Sequence, residues 1–86
     1  MIFNFPRTRF VEENGLVAQI LHMGSELAET ETAMLTPDID HTVEEIMDLH
    51  HSCETALRIA QEKHGINLNE LRCRVERKNF DRGYYP

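Results

Sequence analysis

Apolar residues recur at helical spacing over three stretches of the chain. Leu16, Val17, Ile20, Leu21, Met23, Leu27 and Ala28 mark one helix face, and Asn14 before Gly15 offers a cap, so a helix is expected from there to Met34 or Leu35. Ile46, Leu49, Cys53, Ala56, Leu57 and Ala60 form a second stripe. That helix is expected to begin between Pro37 and Thr42 and to stop near His64, where Gly65 suits the C-terminal turn. Asn67, with Glu70 three residues on, opens a third helix carried by Leu68, Leu71 and Val75 to about Asn79. The sharpest break is Leu35-Thr36-Pro37-Asp38. Thr36 suits a cap, Pro37 the first helical position, where its missing N–H costs nothing, and Asp38 the positive helix end. The fold class is therefore all-α, a helical hairpin plus a shorter third helix.

Residues 1–13 read differently. Met1 to Phe10 alternates apolar and polar positions and holds three of the four phenylalanines, but Pro6 interrupts it, which disfavours a regular internal strand. The reading is an aromatic N-terminal arm packing on a neighbouring helix or subunit, followed by a helical domain over 14–86.

A chain of 86 residues makes one small domain whose own core is marginal, since at this size only about 60% of the unfolded surface is buried. The missing burial is expected from other copies, giving a homo-dimer or tetramer. Cys53 and Cys73 are too few and too far apart for a zinc signature or a disulfide scaffold and are read as reduced core or half-buried thiols. With no charged-then-apolar leader and no stretch near the roughly 20 apolar residues that span a bilayer, the expectation is a soluble cytoplasmic protein.

Net charge is −6, against a general binder of nucleic-acid polymers, but it is uneven. Between Glu26 and Glu62 ten acidic residues face a single Arg58, whereas Arg72, Arg74, Arg77, Lys78 and Arg82 make the end basic. An acidic middle suits a metal ion and a basic tail suits phosphate.

The acidic middle is also patterned. Glu26 and Glu29 repeat at i, i+3, and so do Glu45 and Asp48, which puts each pair on one helix face. If the chain reverses at the Thr36-Pro37 break, Glu29 and Glu45 lie roughly 10 and 12 Å from the apex, and Glu26 and Asp48 roughly 15 and 17 Å. Four carboxylates at matching heights stay ionised together only with a cation, and hard divalent ions take such oxygen ligands. Two readings compete. On a wheel Glu26, Glu29 and His22 fall away from the apolar stripe, as a solvated face would, and are buried only if another helix, from this chain or another subunit, covers that side. Thr42-Val43-Glu44-Glu45 is also a capping-box pattern that would use Glu45 at the helix end. A di-iron bundle would need Glu-x-x-His on two helices, and Asp48 to His51 is the nearest approach, so His41, His50, His51 and His64 are read as surface residues.

These residues carry a resemblance. Ser25-Glu26-Leu27-Ala28-Glu29, fifteen residues, then Glu45-Ile46-Met47-Asp48 resembles the E-E-x-x-E … E-x-x-D pattern of the MazG-like all-α nucleoside triphosphate pyrophosphohydrolases. The closing V-E-R-K-N-F-D-R-G-Y-Y is similar to the end of small phage and bacterial members, and the likeness covers about Leu16 to Tyr85. It implies an enzyme dependent on Mg²⁺, or Mn²⁺ in its place, that hydrolyses a nucleoside triphosphate to a monophosphate and pyrophosphate. By position Glu26, Glu29, Glu45 and Asp48 match the family's metal ligands and catalytic carboxylates. Lys78, Asn79 and Arg82 match residues that face substrate. Ser25 stands where the pattern has its first glutamate, and the chain is short for the family, so a second subunit is expected to complete the site and cover the exposed side of Glu26 and Glu29. The alternative is a non-catalytic helical oligomerisation or regulatory module that keeps the fold.

Overall fold

The computed structural model describes residues 1–86 and contains four helices and no strand. In chain order they are α1, Phe10–Glu13; α2, Leu16–Ala33; α3, Ile39–His64; and α4, Leu68–Asp81. The all-α hairpin expected from the pattern is α2 against α3, the main packing contact of the molecule, with α1 added on α3.

Local chemistry sets the boundaries. The Asp38 side chain accepts the His41 N–H at 3.1 Å and caps α3. That role was expected of Thr36, whose hydroxyl instead donates to the Ala33 carbonyl at 2.8 Å and closes the end of α2. Pro37 accordingly lies before the helix and not in its first turn. At the far end Gly65 adopts φ 64° in the left-handed region that favours glycine, and the chain turns out of α3 there. Asn67 accepts the Glu70 N–H at 3.1 Å, as the spacing predicted, and α4 runs two residues beyond the expected Asn79.

The face that α2 turns inward differs from the expected one. Gln19 and Ala33 are buried, and Met23, Glu26 and Thr30 between them are half-buried, a 4-3-4-3 spacing that keeps one side against α3. The apolar stripe Val17, Ile20, Leu21 and Leu27 stays exposed. On α3 the matching inner row is Thr42, Glu45, Leu49, Ser52, Ala56 and Ile59, while Ile46 and Leu57 of the expected stripe are exposed. The inner seam is largely polar or small because small side chains let two helices approach closely and Gln19 is hydrogen-bonded through both its amide nitrogen and its oxygen. Its amide donates to the Ser52 carbonyl at 3.2 Å and its oxygen accepts from Asn14 at 3.0 Å.

The arm lies along α3, as the aromatic pattern suggested, although it ends in the one-turn helix α1 that the alternation did not reveal. Phe5 stacks on His51 with ring centroids 4.6 Å apart and meets His50 edge-on. Arg58 covers the Phe3 ring at 4.1 Å and donates to the Phe5 carbonyl at 2.8 Å. Val11 is buried, and Lys63 donates to the Glu12 and Asn14 carbonyls, so the free carbonyl end of α1 is satisfied from α3. Cys53 is half-buried, with burial pushing its thiol pKa up, whereas Cys73 is exposed and not part of any core. No helix is long and apolar enough to cross a membrane.

Candidate metal centre

The hairpin sets Glu26 and Glu29 of α2 against Glu45 of α3, with one ligand oxygen of each lying within 4.8 Å of the others. Glu29 is exposed, while the Glu26 and Glu45 side chains are only 16% and 17% accessible. The helix that covers Glu26 belongs to the same chain, so no second subunit is needed for that. Nor is Glu45 spent on a helix end: the Thr42 hydroxyl donates to the Ala33 and Asp38 carbonyls, inside a helix already capped by Asp38.

Each half-buried carboxylate has an imidazole one turn before it. His22 Nε2 lies 3.0 Å from Glu26 Oε1, and His41 Nε2 lies 3.9 Å from Glu45 Oε1. The other oxygen of Glu45, Oε2, is buried and has no hydrogen-bond partner. A buried carboxylate oxygen with no protein donor is costly, and an oxygen-seeking cation is a group that would satisfy it. The donor set therefore fits a hard divalent ion. It is all oxygen and drawn from two helices, with His22 close beside Glu26.

Asp48 stands outside this triad. It lines, with Glu26, a polar hollow of about 160 Å³ whose other walls include His22, His51, Ser52 and Thr55 of the hairpin and Thr8 and Phe10 of the arm and α1. A second hollow is lined by Glu29, Thr32, Thr36, His41 and Glu45. The sequence arithmetic is thus retained as three converging carboxylates plus one adjacent.

Lys78, Asn79 and Arg82 are not brought to these hollows. They lie near the end of α4, where Lys78 and Arg82 share a shallow basic surface with Arg74, Arg77, Glu70 and Asp81, and the Arg82 guanidinium sits 5.9 Å from the Tyr84 ring. Ser25 is exposed and its hydroxyl donates to the His22 carbonyl at 2.7 Å, so the position offers nothing to the triad.

The most deeply buried carboxylate was not singled out by sequence. Glu54 accepts the Asn4 N–H at 2.9 Å and the Phe5 N–H at 2.8 Å, with His50 Nε2 at 3.3 Å. Burial alone would raise its pKa, but the two N–H groups, with His50 and Arg58 beyond them, outweigh that and hold it below the ordinary value. Its role is to fasten the arm. The signal available in sequence was the i, i+4 row His50, Glu54, Arg58. Compared with known proteins, the chain matches no family model, no curated protein and no solved structure.

Proposed function

We propose that this chain is a magnesium-dependent nucleoside triphosphate pyrophosphohydrolase that cleaves between the α and β phosphates. Water adds to phosphorus, the bridging P–O bond breaks, and nucleoside monophosphate and pyrophosphate leave. The observation that carries the reading is the convergence of one oxygen each from Glu26, Glu29 and Glu45 within 4.8 Å, with Glu45 also bearing a buried, unpartnered oxygen.

Glu26, Glu29 and Glu45 would hold the ion, with Mn²⁺ able to stand in for Mg²⁺. Bound there, the ion would neutralise phosphate oxygens and ease attack at phosphorus. The chain's own groups divide the remaining work. His22 lies 3.0 Å from one oxygen of Glu26 and would steady that carboxylate. Asp48, in the adjoining hollow, is the carboxylate free to take a proton from the attacking water. Lys78, Asn79 and Arg82 would meet the nucleotide's phosphates. Such an enzyme acts on the free nucleotide pool, which places it in the cytoplasm.

A second reading is a non-catalytic helical module. It is favoured by Ser25, which supplies no carboxylate, and by the distance in the fold between α4 and the hollows beside the triad. Pyrophosphate release from a panel of nucleoside triphosphates, with Mg²⁺ and with Glu45→Ala as the blank, separates the two. Metal-dependent release that disappears in the blank supports the enzyme. Absence of release across the panel from the folded wild-type chain supports the module.

A further inference from the structure

Two rows of residues run along one edge of the buried seam. On α2 the row is Gln19, His22, Glu26, Glu29 and Ala33, and on α3 it is His41, Glu45, Asp48, Ser52 and Thr55, each at steps of three and four that hold one helix face. The converging carboxylates sit in the middle of these rows, and a hollow lies at either end. Toward the apex of the hairpin, Glu29, Thr32 and Thr36 of one arm face His41 and Glu45 of the other around about 390 Å³. Away from the apex, Gln19, His22 and Glu26 face Asp48, Ser52 and Thr55 around about 160 Å³. No residue lines both.

The hollows differ in what they admit. Ligand pockets measure about 300–1,000 Å³, a range that the apex hollow enters and the smaller one does not. At roughly 30 Å³ for each molecule, the smaller hollow has room for about five waters. Its floor is made of buried polar groups, Gln19, Thr55 and Ser52, at 1%, 3% and 8% exposure. The first two are engaged. Gln19 bonds Asn14 and the Ser52 carbonyl, and the Thr55 hydroxyl lies 3.2 Å from that of Thr8 in the arm. The Ser52 hydroxyl makes no hydrogen bond within the chain, which is costly for a buried group, and water in a polar hollow is the partner that relieves the cost. Asp48, one turn before Ser52, stands exposed at the rim without an ion pair.

We infer that the smaller hollow is the chamber of the attacking water and that Ser52 is the residue that positions it. This rests on the pyrophosphohydrolase reading and adds the direction in which the reaction crosses the site. In-line displacement puts the attacking and leaving oxygens on opposite sides of phosphorus. With phosphorus at the carboxylates, water approaches from the Ser52 side and the leaving group departs toward the apex hollow, the larger of the two. Glu26 belongs to the triad and also lines the chamber, so water held there lies beside the ion's ligands. Ser52 Oγ accepts one hydrogen of the water and the Asp48 carboxylate the other, which aims a lone pair of the water out of the chamber. The water oxygen then forms the new P–O bond, the proton on its Asp48 side passes to that carboxylate, and the electron pair of the bridging P–O bond leaves with the departing oxygen.

The test is steady-state pyrophosphate release with Mg²⁺ by the full chain as wild type, Ser52→Ala, Ser52→Thr and Ser52→Val. Threonine and valine differ here only in the hydroxyl, so any overpacking of the chamber falls on both. The expected result is a kcat lower by roughly 2- to 12-fold in Ser52→Ala, the worth of one hydrogen bond. Ser52→Thr should exceed Ser52→Val in kcat by a similar factor, with KM and the Mg²⁺-induced rise in thermal midpoint the same in all four. A serine with a structural role alone would separate threonine from valine in unfolding midpoint and not in kcat. Equal kcat in those two variants overturns the inference. So does a loss that lies in KM, which would show that the chamber takes part of the nucleotide. In both of those outcomes the wild type still releases pyrophosphate and the pyrophosphohydrolase reading stands. A wild type that releases none overturns that reading and the inference with it.

Discussion

Glu54 and Asn4 are fifty residues apart in sequence and joined by a 2.9 Å hydrogen bond from the Asn4 N–H to a buried carboxylate oxygen. The Phe5 N–H donates to the same side chain, and Arg58, one turn further along α3, takes the Phe5 carbonyl. One turn of α3 thus supplies both the acceptor and the donor that an extended strand of backbone lacks when no sheet is present. The arm is fastened by its main chain, with Phe3 and Phe5 adding ring contacts to Arg58 and the histidines.

Replacing Glu54 with Gln should loosen the arm. The amide loses the charge that strengthens both N–H bonds, and a loss of roughly 1–3 kcal/mol is expected. Urea unfolding gives the loss, and faster tryptic cleavage at Arg7 and Arg9 shows that the arm is its source. The pH dependence has a definite sign. The folded-state pKa lies below the ordinary one, so the contribution is complete above the unfolded value of about 4.3 and disappears as pH falls through the lower folded value. Acid unfolding of the wild type should show this loss, and Glu54→Gln should not.

How much of this was legible in sequence follows from where the information sits. Caps and stops are local, so Asn67, Gly65 and the break before α3 could be read from adjacent residues. The Glu29 and Glu45 match across the hairpin needed only the break and the helical rise, and those two carboxylates do converge with Glu26. The buried side of α2 was not legible. Apolar spacing marks which side avoids water, not which partner covers it, and in one chain the side of Gln19, Glu26 and Ala33 meets α3 while Val17, Ile20 and Leu21 remain uncovered. Glu54 was hidden for a different reason: its partners are backbone N–H groups, which carry no residue signature. The short α1 was missed because four residues show no period.

Gly65→Ala should destabilise the fold by about 1 kcal/mol, because the left-handed conformation costs an L-residue roughly that much. No atom lies within 4 Å of the position an added Cβ would occupy, so the penalty is backbone strain alone. A larger drop in the thermal midpoint than 1 kcal/mol supports for a domain of this size, about 4–8 °C, would show that the turn also sets where α4 goes.

Glu45→Ala and Glu29→Ala should part company in the absence of metal. Glu45 carries a buried oxygen with no donor, and removing it relieves both that burial and the repulsion from Glu26 and Glu29, so thermal stability should hold or rise. Glu29 is exposed and its removal should change little. Adding Mg²⁺ or Mn²⁺ should reverse the order. At a hundred times its dissociation constant a ligand stabilises the native state by about 2.7 kcal/mol. The wild type should gain this and Glu45→Ala should not. Equal shifts in the two proteins would remove Glu45 from the metal site.

Lys78→Ala and Arg82→Ala test whether the basic end of α4 serves the carboxylates at all. Both side chains sit on the outer surface of α4, among Arg74, Arg77 and Asp81, and none of the residues lining the hollows beside the triad comes from that helix. A phosphate contact made in the complex but absent from the free chain would appear in nucleotide turnover and nowhere else. Losing one charge-assisted bond of about 1.5–3 kcal/mol should lower kcat/KM by roughly 10- to 150-fold, with metal affinity and unfolding midpoint unchanged. If the loss lies in KM, the group binds the ground state; if it lies in kcat, the group acts as charge develops at phosphorus. Should both variants hydrolyse nucleotides as the wild type does, α4 contributes no phosphate contact through these residues, and its basic row must be explained as solvated surface.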